Sequence, residues 1–287
     1  ECLGCDIQTA QDGIDALDRI SEHCPDLVIT DLQMPNCDGL GLIHQMLTDC
    51  PMVPSILVTA FGNEALAAEA LGSGATTYIA KEHVDVLLAD TARRLLAFAQ
   101  ANRESLEIKG TLGLGRHDFL TDCSIERLVP LVSLVVRLLG AMGALHTSDR
   151  IRIAETLHHL LFHAIIHENL NIPLQKEPIP LDQAETWVQE RFKDSRASQS
   201  VGECVRLRMN VTNENVSFRI DPEGRCASFD QAPLPGTPQS FSDERARAML
   251  LSTSTMDEVF IDPNTSAIKL VKHLSGQPST TAVAETK

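Results

Sequence analysis

The strongest constraint in this sequence is an alternation of short apolar runs with helical segments across its first hundred residues. Asp26–Asp31, Ser55–Ala60 and Thr77–Ala80 are the apolar runs. Unbroken runs of this kind are typical of parallel strands that helices cover on both faces. The sequence therefore predicts an α/β region with a parallel sheet. The other predicted elements are helices at Gly13–Ile20, Leu40–Leu47, Glu64–Leu71 and Val84–Phe98, and a short first strand at Asp6–Ala10.

Composition narrows the class of function. The length of 287 residues is enough for two domains. A net charge of −15 with no basic run argues against a nucleic-acid partner. No apolar run reaches the roughly 18 residues of a membrane span, so no membrane partner is expected. Eight irregularly spaced cysteines and no export signal favour reduced thiols and a cytoplasmic location.

The three predicted parallel strands end in side chains that suit phosphoryl chemistry. Asp31, Thr59 and Lys81 follow the carboxyl ends of the strands, where open α/β sheets bind ligands. A carboxylate can attack phosphorus and form an aspartyl phosphate. A hydroxyl can donate a hydrogen bond to the phosphoryl oxygens, and an ammonium can neutralise their charge. Each residue alone has an ordinary structural interpretation, and only the combination indicates a site.

These residues and their neighbours resemble the receiver domain of two-component response regulators over about residues 5–98. The resemblance implies a flavodoxin-like fold in which a sensor histidine kinase phosphorylates Asp31. It also implies Mg²⁺ held by the Asp31 carboxylate and the Gln33 backbone carbonyl, and a switch in which Thr59 and Tyr78 move inward together. The matching residues are Asp31-Leu-Gln-Met34-Pro35, Asp38-Gly39, Val58-Thr59-Ala60, Gly74-Ala75 and Tyr78-Ile-Ala-Lys81.

Two departures from the receiver pattern affect what we expect. The family begins with a strand that ends in an acidic pair, and this chain starts at the counterpart of the second strand. The missing first strand lies centrally in the family's sheet, and its acidic pair supplies most Mg²⁺ ligands. Asp31 and one carbonyl would hold Mg²⁺ poorly, so we expect inefficient phosphorylation of the chain as given. Glu82 also replaces the proline that usually follows the lysine.

Behind this region the order of the predicted elements changes. Residues 99–116 contain three glycines and are predicted as a linker between a first domain, 1–98, and a second, 117–274. Helices separated from an antiparallel sheet make the second domain α+β. Residues 275–287 are predicted as a disordered tail. The predicted elements are helices at Ile125–Met142, Asp149–Asn169 and about 242–252, and hairpins of Cys204–Val211 with Val216–Ile220 and of Glu258–Ile261 with Ala267–Lys272.

The second domain resembles the histidine-kinase-like ATPase fold, a two-layer sandwich, in its anti-sigma-factor serine kinase branch. The matching residues are the helix segments Asp149–Ile153 and Leu157–Leu170, Phe229-Asp230 with Leu234-Pro235, and Leu250-Leu251 with Met256-Asp257-Glu258-Val259. His159 and His163 occupy the family's glutamate-base and Mg²⁺-asparagine positions, and Ala246-Arg247-Ala248 replaces its Gly-x-Gly lid. Asp221 and Gly224 are candidates for the nucleotide-binding loop. These losses predict a degenerate, catalytically inactive domain that does not depend on ATP.

Three functions remain open from the sequence. The leading interpretation is a phosphorylation-dependent signalling protein whose second domain binds a protein partner, anti-anti-sigma-like or within a sigma-factor pathway, with a homodimer as an open alternative. The first rival is an active, ATP-dependent serine/threonine kinase of the anti-sigma-factor type. The second rival is a metal-responsive module, because His159, His163 and His167 recur every four residues on one helix face. A DNA-binding output is disfavoured by the acidic charge and by the lack of a helix-turn-helix pattern.

Overall fold

A computed structural model describes residues 4–60, 64–122, 124–169, 180–195, 205–222, 244–262 and 265–274. Within these ranges the chain forms one parallel and one antiparallel sheet. We call residues 4–106 the front region and residues 116–274 the rear region. None of the helices in the described ranges is both long and apolar enough to cross a membrane.

The front region is an α/β layer around a three-stranded parallel sheet in the order β1-β2-β3. Both β2 and β3 are almost entirely buried, as expected for strands covered on both faces. The predicted parallel α/β arrangement is therefore confirmed. Its elements are α1 (Gly13–Glu22), β1 (Val28–Asp31), α2 (Gly39–Asp49), β2 (Ser55–Thr59), α3 (Glu64–Gly72), β3 (Thr77–Ala80) and α4 (Val84–Leu106).

The predicted strand at Asp6–Ala10 is wrong. These residues have no strand pairing, and the side chain of Ile7 is 76% exposed. An isolated extended segment cannot satisfy its backbone groups, so a strand needs an adjacent sheet edge. The receiver strand order places one more strand between this segment and β1, and no described residue occupies that position. β1 is consequently an edge strand, with Ile29 48% exposed.

The rear region is built on a five-stranded antiparallel sheet in the order β4-β5-β6-β8-β7. Burial alternates along β5 and β6, so the sheet has one covered and one outer face. Both predicted hairpins are present, and the α+β arrangement is observed. The elements are β4 (Arg116–Thr121), α5 (Leu128–Ala141), α6 (Thr147–His163, continued by a π-helical segment Ala164–Asn169), α7 (Leu181–Ser195), β5 (Val205–Val211), β6 (Asn215–Pro222), α8 (Glu244–Thr255), β7 (Glu258–Ile261) and β8 (Ile268–His273).

The structure differs from the predicted linker at 99–116. α4 continues to Leu106, because Ala101, Asn102 and Ser105 are buried where α4 packs on α5. Gly140 on α5 makes this close crossing feasible, since an added Cβ would lie 1.9 Å from the Ser105 Oγ. β4 and α7 were not predicted. The predicted tail, residues 275–287, lies outside the described residues.

A continuous hydrophobic core joins the two regions. Ile56 and Ile79 of the parallel sheet belong to the same buried cluster as residues of α4, α5, α6 and the covered face of the antiparallel sheet. A second cluster brings Leu250 and Leu251 of α8 against α3, β2 and β3. Arg152 of α6 reinforces this contact by donating hydrogen bonds to the carbonyls of Leu71 and Ser254. The rear region therefore packs directly on the front region through α6 and α8.

Candidate functional site

The carboxyl ends of β1 and β3 bring Asp31 and Lys81 into contact. Asp31 is the last residue of β1, and Lys81 begins a short 3₁₀ turn directly after β3. The Lys81 Nζ donates to the Asp31 Oδ2 at 2.5 Å. The Gln33 backbone N–H donates to the other oxygen, Oδ1, at 3.2 Å. The Lys81 and Asp31 side chains are 51% and 34% exposed, so a ligand has access to the pair.

Thr59 and Tyr78 lie inside the fold beside this edge. Thr59 ends β2, is fully buried, and donates its hydroxyl to the Ala60 carbonyl at 3.3 Å. Tyr78 of β3 is only 1% exposed. Arg247 of α8 places its guanidinium 5.0 Å from the centre of the Tyr78 ring and donates to the Tyr78 carbonyl at 3.3 Å. The residue predicted as a switch is thus in direct contact with the rear region.

The loop between β1 and α2 is held by Gly39, which belongs to the matched receiver residues, and by Asp12 and Asn36, which sequence reasoning did not select. Gly39 starts α2 so close to β1 that an added Cβ would lie 2.3 Å from the Asp31 carbonyl oxygen. Asn36 has a φ of 60° and donates its side-chain N–H to the Asp12 Oδ2 at 2.6 Å. Asp12 also caps α1 through the backbone N–H groups of Ile14 and Asp15. The N-cap position of Asp12, just before a helical pattern, was a signal for this role.

Comparisons with known proteins match this region. Residues 1–92 match the family model described as the response regulator receiver domain. The front of the chain thus carries a receiver domain. The regulatory protein LuxO of Vibrio vulnificus is 35% identical over 79 residues, which are 28% of this chain and 17% of LuxO. The transcriptional regulatory protein DctD of Rhizobium meliloti is 35% identical over 94 residues, 33% of this chain and 20% of DctD.

A solved receiver domain also matches. The receiver domain of NtrX from Brucella abortus is 30% identical, with a TM-score of 0.30, over 31% of this chain and 78% of that domain. The matched segments span about one fifth or less of LuxO and DctD. The receiver match therefore concerns the front of the chain and leaves the rear region to be interpreted from its own residues.

Receiver domains typically bind Mg²⁺ at the phosphorylation site, which makes the donor set here informative. Asp31 supplies a carboxylate and Gln33 a backbone carbonyl, but Lys81 already holds one Asp31 oxygen. Among the described residues no group of three His, Cys, Asp or Glu side chains is arranged to bind a metal. Mg²⁺ requires near-octahedral oxygen ligands. The described residues therefore do not fit a complete Mg²⁺ site.

The helix predicted to carry the nucleotide site, α6, forms a buried ion pair with α4 of the front region. Glu155 of α6 is fully buried and accepts two hydrogen bonds from Arg94 of α4, at 2.9 and 2.8 Å. His159, one turn later, places its Nε2 3.2 Å from the Glu155 Oε1, and His163 is 1% exposed. Sequence reasoning did not identify the Arg94–Glu155 pair; the available signal was a glutamate one helical turn after Ile151 and one turn before His159.

The pKa of Glu155 shows which effect dominates in this pair. Burial opposes ionisation of the carboxyl and would by itself raise its pKa. The charge of Arg94 and the hydrogen bonds from Arg94 and His159 outweigh burial, so the pKa of Glu155 lies well below its usual value. Glu155 is therefore a buried carboxylate that Arg94 keeps charged.

Asp221, a further predicted nucleotide-site residue, is not brought to α6. Asp221 accepts hydrogen bonds from Arg208 and Arg219, which share its half-exposed positions on the outer face of the sheet. The helices lie on the other, covered face, so Asp221 is separated from His159 and His163. Gly224 lies outside the described residues, as does the side chain of His167.

A cavity of about 230 Å³ opens beside the Arg94–Glu155 pair, between α4 and α6. Phe162 and Val129 supply apolar lining, and Arg94, His159 and Arg247 supply polar lining. It lies at the junction of the two regions and not at the Asp31 edge. The candidate site of this chain is the exposed Asp31–Lys81 edge. At the junction of the two regions, Arg247 of α8 contacts Tyr78.

Proposed function

We propose that this chain is a response regulator of a two-component system, with Asp31 as the residue that a sensor histidine kinase phosphorylates. One observation carries the proposal: the Lys81 ammonium lies 2.5 Å from an accessible Asp31 carboxylate at the carboxyl edge of a parallel sheet. Ligands of open α/β sheets bind at this edge. The receiver match over residues 1–92 supports the same assignment.

The geometry suggests how phosphoryl transfer would proceed. An Asp31 carboxylate oxygen attacks phosphorus, the bond from phosphorus to the kinase histidine breaks, and an acyl phosphate forms. Lys81 then exchanges its carboxylate partner for a phosphoryl oxygen, which carries more charge. Thr59 would rotate its hydroxyl from the Ala60 carbonyl towards the same group. Each step uses a side chain already at this edge.

The rear region is proposed as the output that senses this change. Arg247 of α8 contacts both the ring and the carbonyl of Tyr78, so a movement of Tyr78 would displace α8 directly. Leu250 and Leu251 of α8 pack in the same cluster as Tyr78 and would move with it. Phosphorylation would thus change the surface that α8 and its neighbours offer to a protein partner, for which a sigma-factor or anti-anti-sigma-like pathway is the expected setting.

We further propose that the rear region is a degenerate ATPase-like domain without nucleotide chemistry. A two-layer arrangement of helices on an antiparallel sheet supports the ATPase resemblance. His159 contacts Glu155, and both Glu155 oxygens accept hydrogen bonds from Arg94. Arg247 lies in the segment that corresponds to the glycine lid, and its side chain is buried against Tyr78. These contacts use the positions that would otherwise face a nucleotide.

Labelling with a small phosphodonor tests the receiver proposal. The chain is incubated with phosphoramidate and Mg²⁺, and the acyl phosphate is located by peptide mass spectrometry after reduction with borohydride. We expect slow labelling confined to Asp31, abolished by Asp31→Asn. Asp38→Asn is the matched control, because asparagine caps α2 as well as aspartate does and should leave labelling unchanged. Label that persists in Asp31→Asn would refute the assignment.

A nucleotide-binding measurement separates the output proposal from the kinase alternative. Titration of the chain with Mg-ATP, followed by calorimetry, is expected to show no binding. Saturable binding together with phosphoryl transfer to a protein serine or threonine would establish the kinase function instead.

A further inference from the structure

Two thiols meet at the end of the parallel sheet opposite Asp31. Cys24 follows α1, and Cys50 caps the carboxyl end of α2. The Cys24 Sγ lies 2.8 Å from the Cys50 Sγ, although 26 positions separate the residues in sequence. A disulfide bond is about 2.05 Å long. The sulfur atoms would therefore need to approach by less than about 1 Å to become bonded.

The surroundings of this pair suit a cross-link. α1 and α2 pack on a small cluster around Ile20, Leu42 and Met46 that is separate from the two main cores. Cys24 is exposed, so a small oxidant can reach its sulfur, while Cys50 is half-buried against the same cluster. A bond between them would tie the ends of both helices together, next to the start of β1.

We propose that Cys24 and Cys50 form a reversible disulfide, which makes this end of the receiver a site of modification by peroxides. The Cys24 thiol first loses its proton, and the thiolate attacks one oxygen of hydrogen peroxide. The O–O bond breaks, a sulfenic acid forms, and the released hydroxide takes up the proton lost from Cys24 to give water. The Cys50 sulfur then attacks the Cys24 sulfur and displaces hydroxide. The hydroxide takes up the Cys50 proton and leaves as a second water. Two electrons pass from the thiols to the peroxide, and a dithiol reductant reverses the reaction.

The order of these steps follows from the two environments. Burial raises the pKa of Cys50 to about 11, and its hydrogen bond with the Cys24 sulfur acts in the same direction because it favours the protonated Cys50 thiol. Cys50 therefore stays protonated at neutral pH and is suited to the second, resolving step, while the exposed Cys24 meets the oxidant first. Because that step requires loss of the Cys50 proton, its rate should increase as the pH is raised above neutral.

Such a bond would stabilise the α1–α2 side of the front region without involving Asp31. Closing a loop of this length restricts the unfolded chain, which is the main source of stabilisation by disulfides in the chain-entropy model. The Lys81–Asp31 contact lies at the far end of β1 and should keep its geometry. This inference is independent of the proposed function, since it requires only the thiol pair and the packing of α1 on α2.

The test uses the full chain, reduced and then treated with hydrogen peroxide. We expect non-reducing peptide mapping to show one dominant cross-link, Cys24 to Cys50, which dithiothreitol removes. The midpoint of thermal unfolding should rise by roughly 5 °C on oxidation. Cys24→Ser and Cys50→Ser should each abolish the cross-link and the shift. Cys37→Ser, which changes a cysteine at the opposite, N-terminal ends of α1 and α2, should retain both.

Two outcomes would overturn the proposal. One is a Cys24 that oxidises to sulfinic acid while Cys50 remains unlinked. The other is a cross-link that forms with equal yield in the urea-unfolded chain, because the folded geometry would then contribute nothing.

Discussion

Two ion pairs, one at the Asp31 edge and one at the junction of the front and rear regions, differ in exposure and in the ease with which they can be separated. Lys81 and Asp31 meet at an edge where their side chains are 51% and 34% exposed. Arg94 and Glu155 meet between the regions, where their side chains are 12% and 0% exposed. An exposed pair is screened and exchanges partners readily, whereas a buried pair is costly to separate. The first arrangement suits chemistry, and the second suits a fixed junction.

The difference also explains why the charged and polar residues of α6 need not indicate catalysis. Glu155 has its carboxylate oxygens engaged by Arg94, and His159 completes the set of contacts. A buried carboxylate whose two oxygens both accept hydrogen bonds from one arginine is a poor general base, because that arginine stabilises its charged form. The Asp31 carboxylate, by contrast, has one partner that a phosphoryl group would attract more strongly.

The largest effect is expected from Arg94→Met. Removing the arginine leaves the buried Glu155 with His159 as a hydrogen-bond partner and no permanent positive charge, which should reduce the free energy of unfolding by about 3–5 kcal/mol. Urea unfolding followed by circular dichroism measures the loss.

Two further variants test whether the loss of stability comes from the unpaired buried charge. Arg93→Met removes the adjacent arginine, which is 56% exposed and pairs with Asp90 on its own helix, and should change stability by less than about 0.5 kcal/mol. The double variant Arg94→Met with Glu155→Met should recover most of the lost stability, because neither charge then remains buried. Equal losses in Arg93→Met and Arg94→Met would contradict the distinction between exposed and buried pairs.

A smaller change in the free energy of unfolding is expected when the pH is lowered. The pKa of Glu155 is lower in the folded chain than its usual value of 4.5, so the unfolded chain binds more protons as the pH falls through that value. The stabilisation by the ionised pair is complete above pH 4.5 and is lost as the pH falls through the folded pKa. In Arg94→Met the hydrogen bond from His159 no longer outweighs burial, so we expect the pKa of Glu155 to lie above its usual value. The sign then reverses, and this variant should gain stability on mild acidification. Parallel pH profiles of the two proteins would contradict the assigned cause.

The smallest effect on stability is expected from Lys81→Met. The Lys81–Asp31 pair is exposed, so its loss should change the free energy of unfolding by less than about 1 kcal/mol. Labelling of Asp31 by phosphoramidate should nevertheless fall at least tenfold, because the charge that receives the phosphoryl oxygens is gone. Arg19→Met, which removes the exposed pair with Asp15 on α1, should match the stability change and leave labelling intact. A Lys81→Met variant that labels normally would show that the contact has no chemical role.

Local patterns predicted most of the front region and its candidate site. The apolar runs at Ile56 and Ile79 predicted parallel strands because both faces of those strands are buried, and strand ends at Asp31 and Thr59 followed from the same pattern. The strand at Asp6–Ala10 failed because a strand depends on a neighbouring edge that local sequence does not encode.

In the rear region, local patterns predicted both hairpins but not how the region packs on the receiver. α4 continues past Phe98 because Ala101, Asn102 and Ser105 are buried by distant segments: Asn102 donates to the Thr147 carbonyl of α6, and Ser105 packs against Gly140 of α5. The glycines that indicated a linker begin only at Gly110, after α4 has ended. β4 was missed because Arg116–Thr121 has a mixed, half-exposed pattern and becomes a strand by pairing with β5.

The sequence by itself determined which groups stand at the strand ends, because residue type and strand periodicity are local properties: an acid ends β1, a hydroxyl ends β2 and an amine follows β3. Only the tertiary structure decided which charges meet. Arg94 and Glu155 are 61 positions apart, and Tyr78 and Arg247 are 169 apart. The physical reason is that burial, which decides whether a charge is a reactive group or a structural one, belongs to the packed molecule and not to any segment of it.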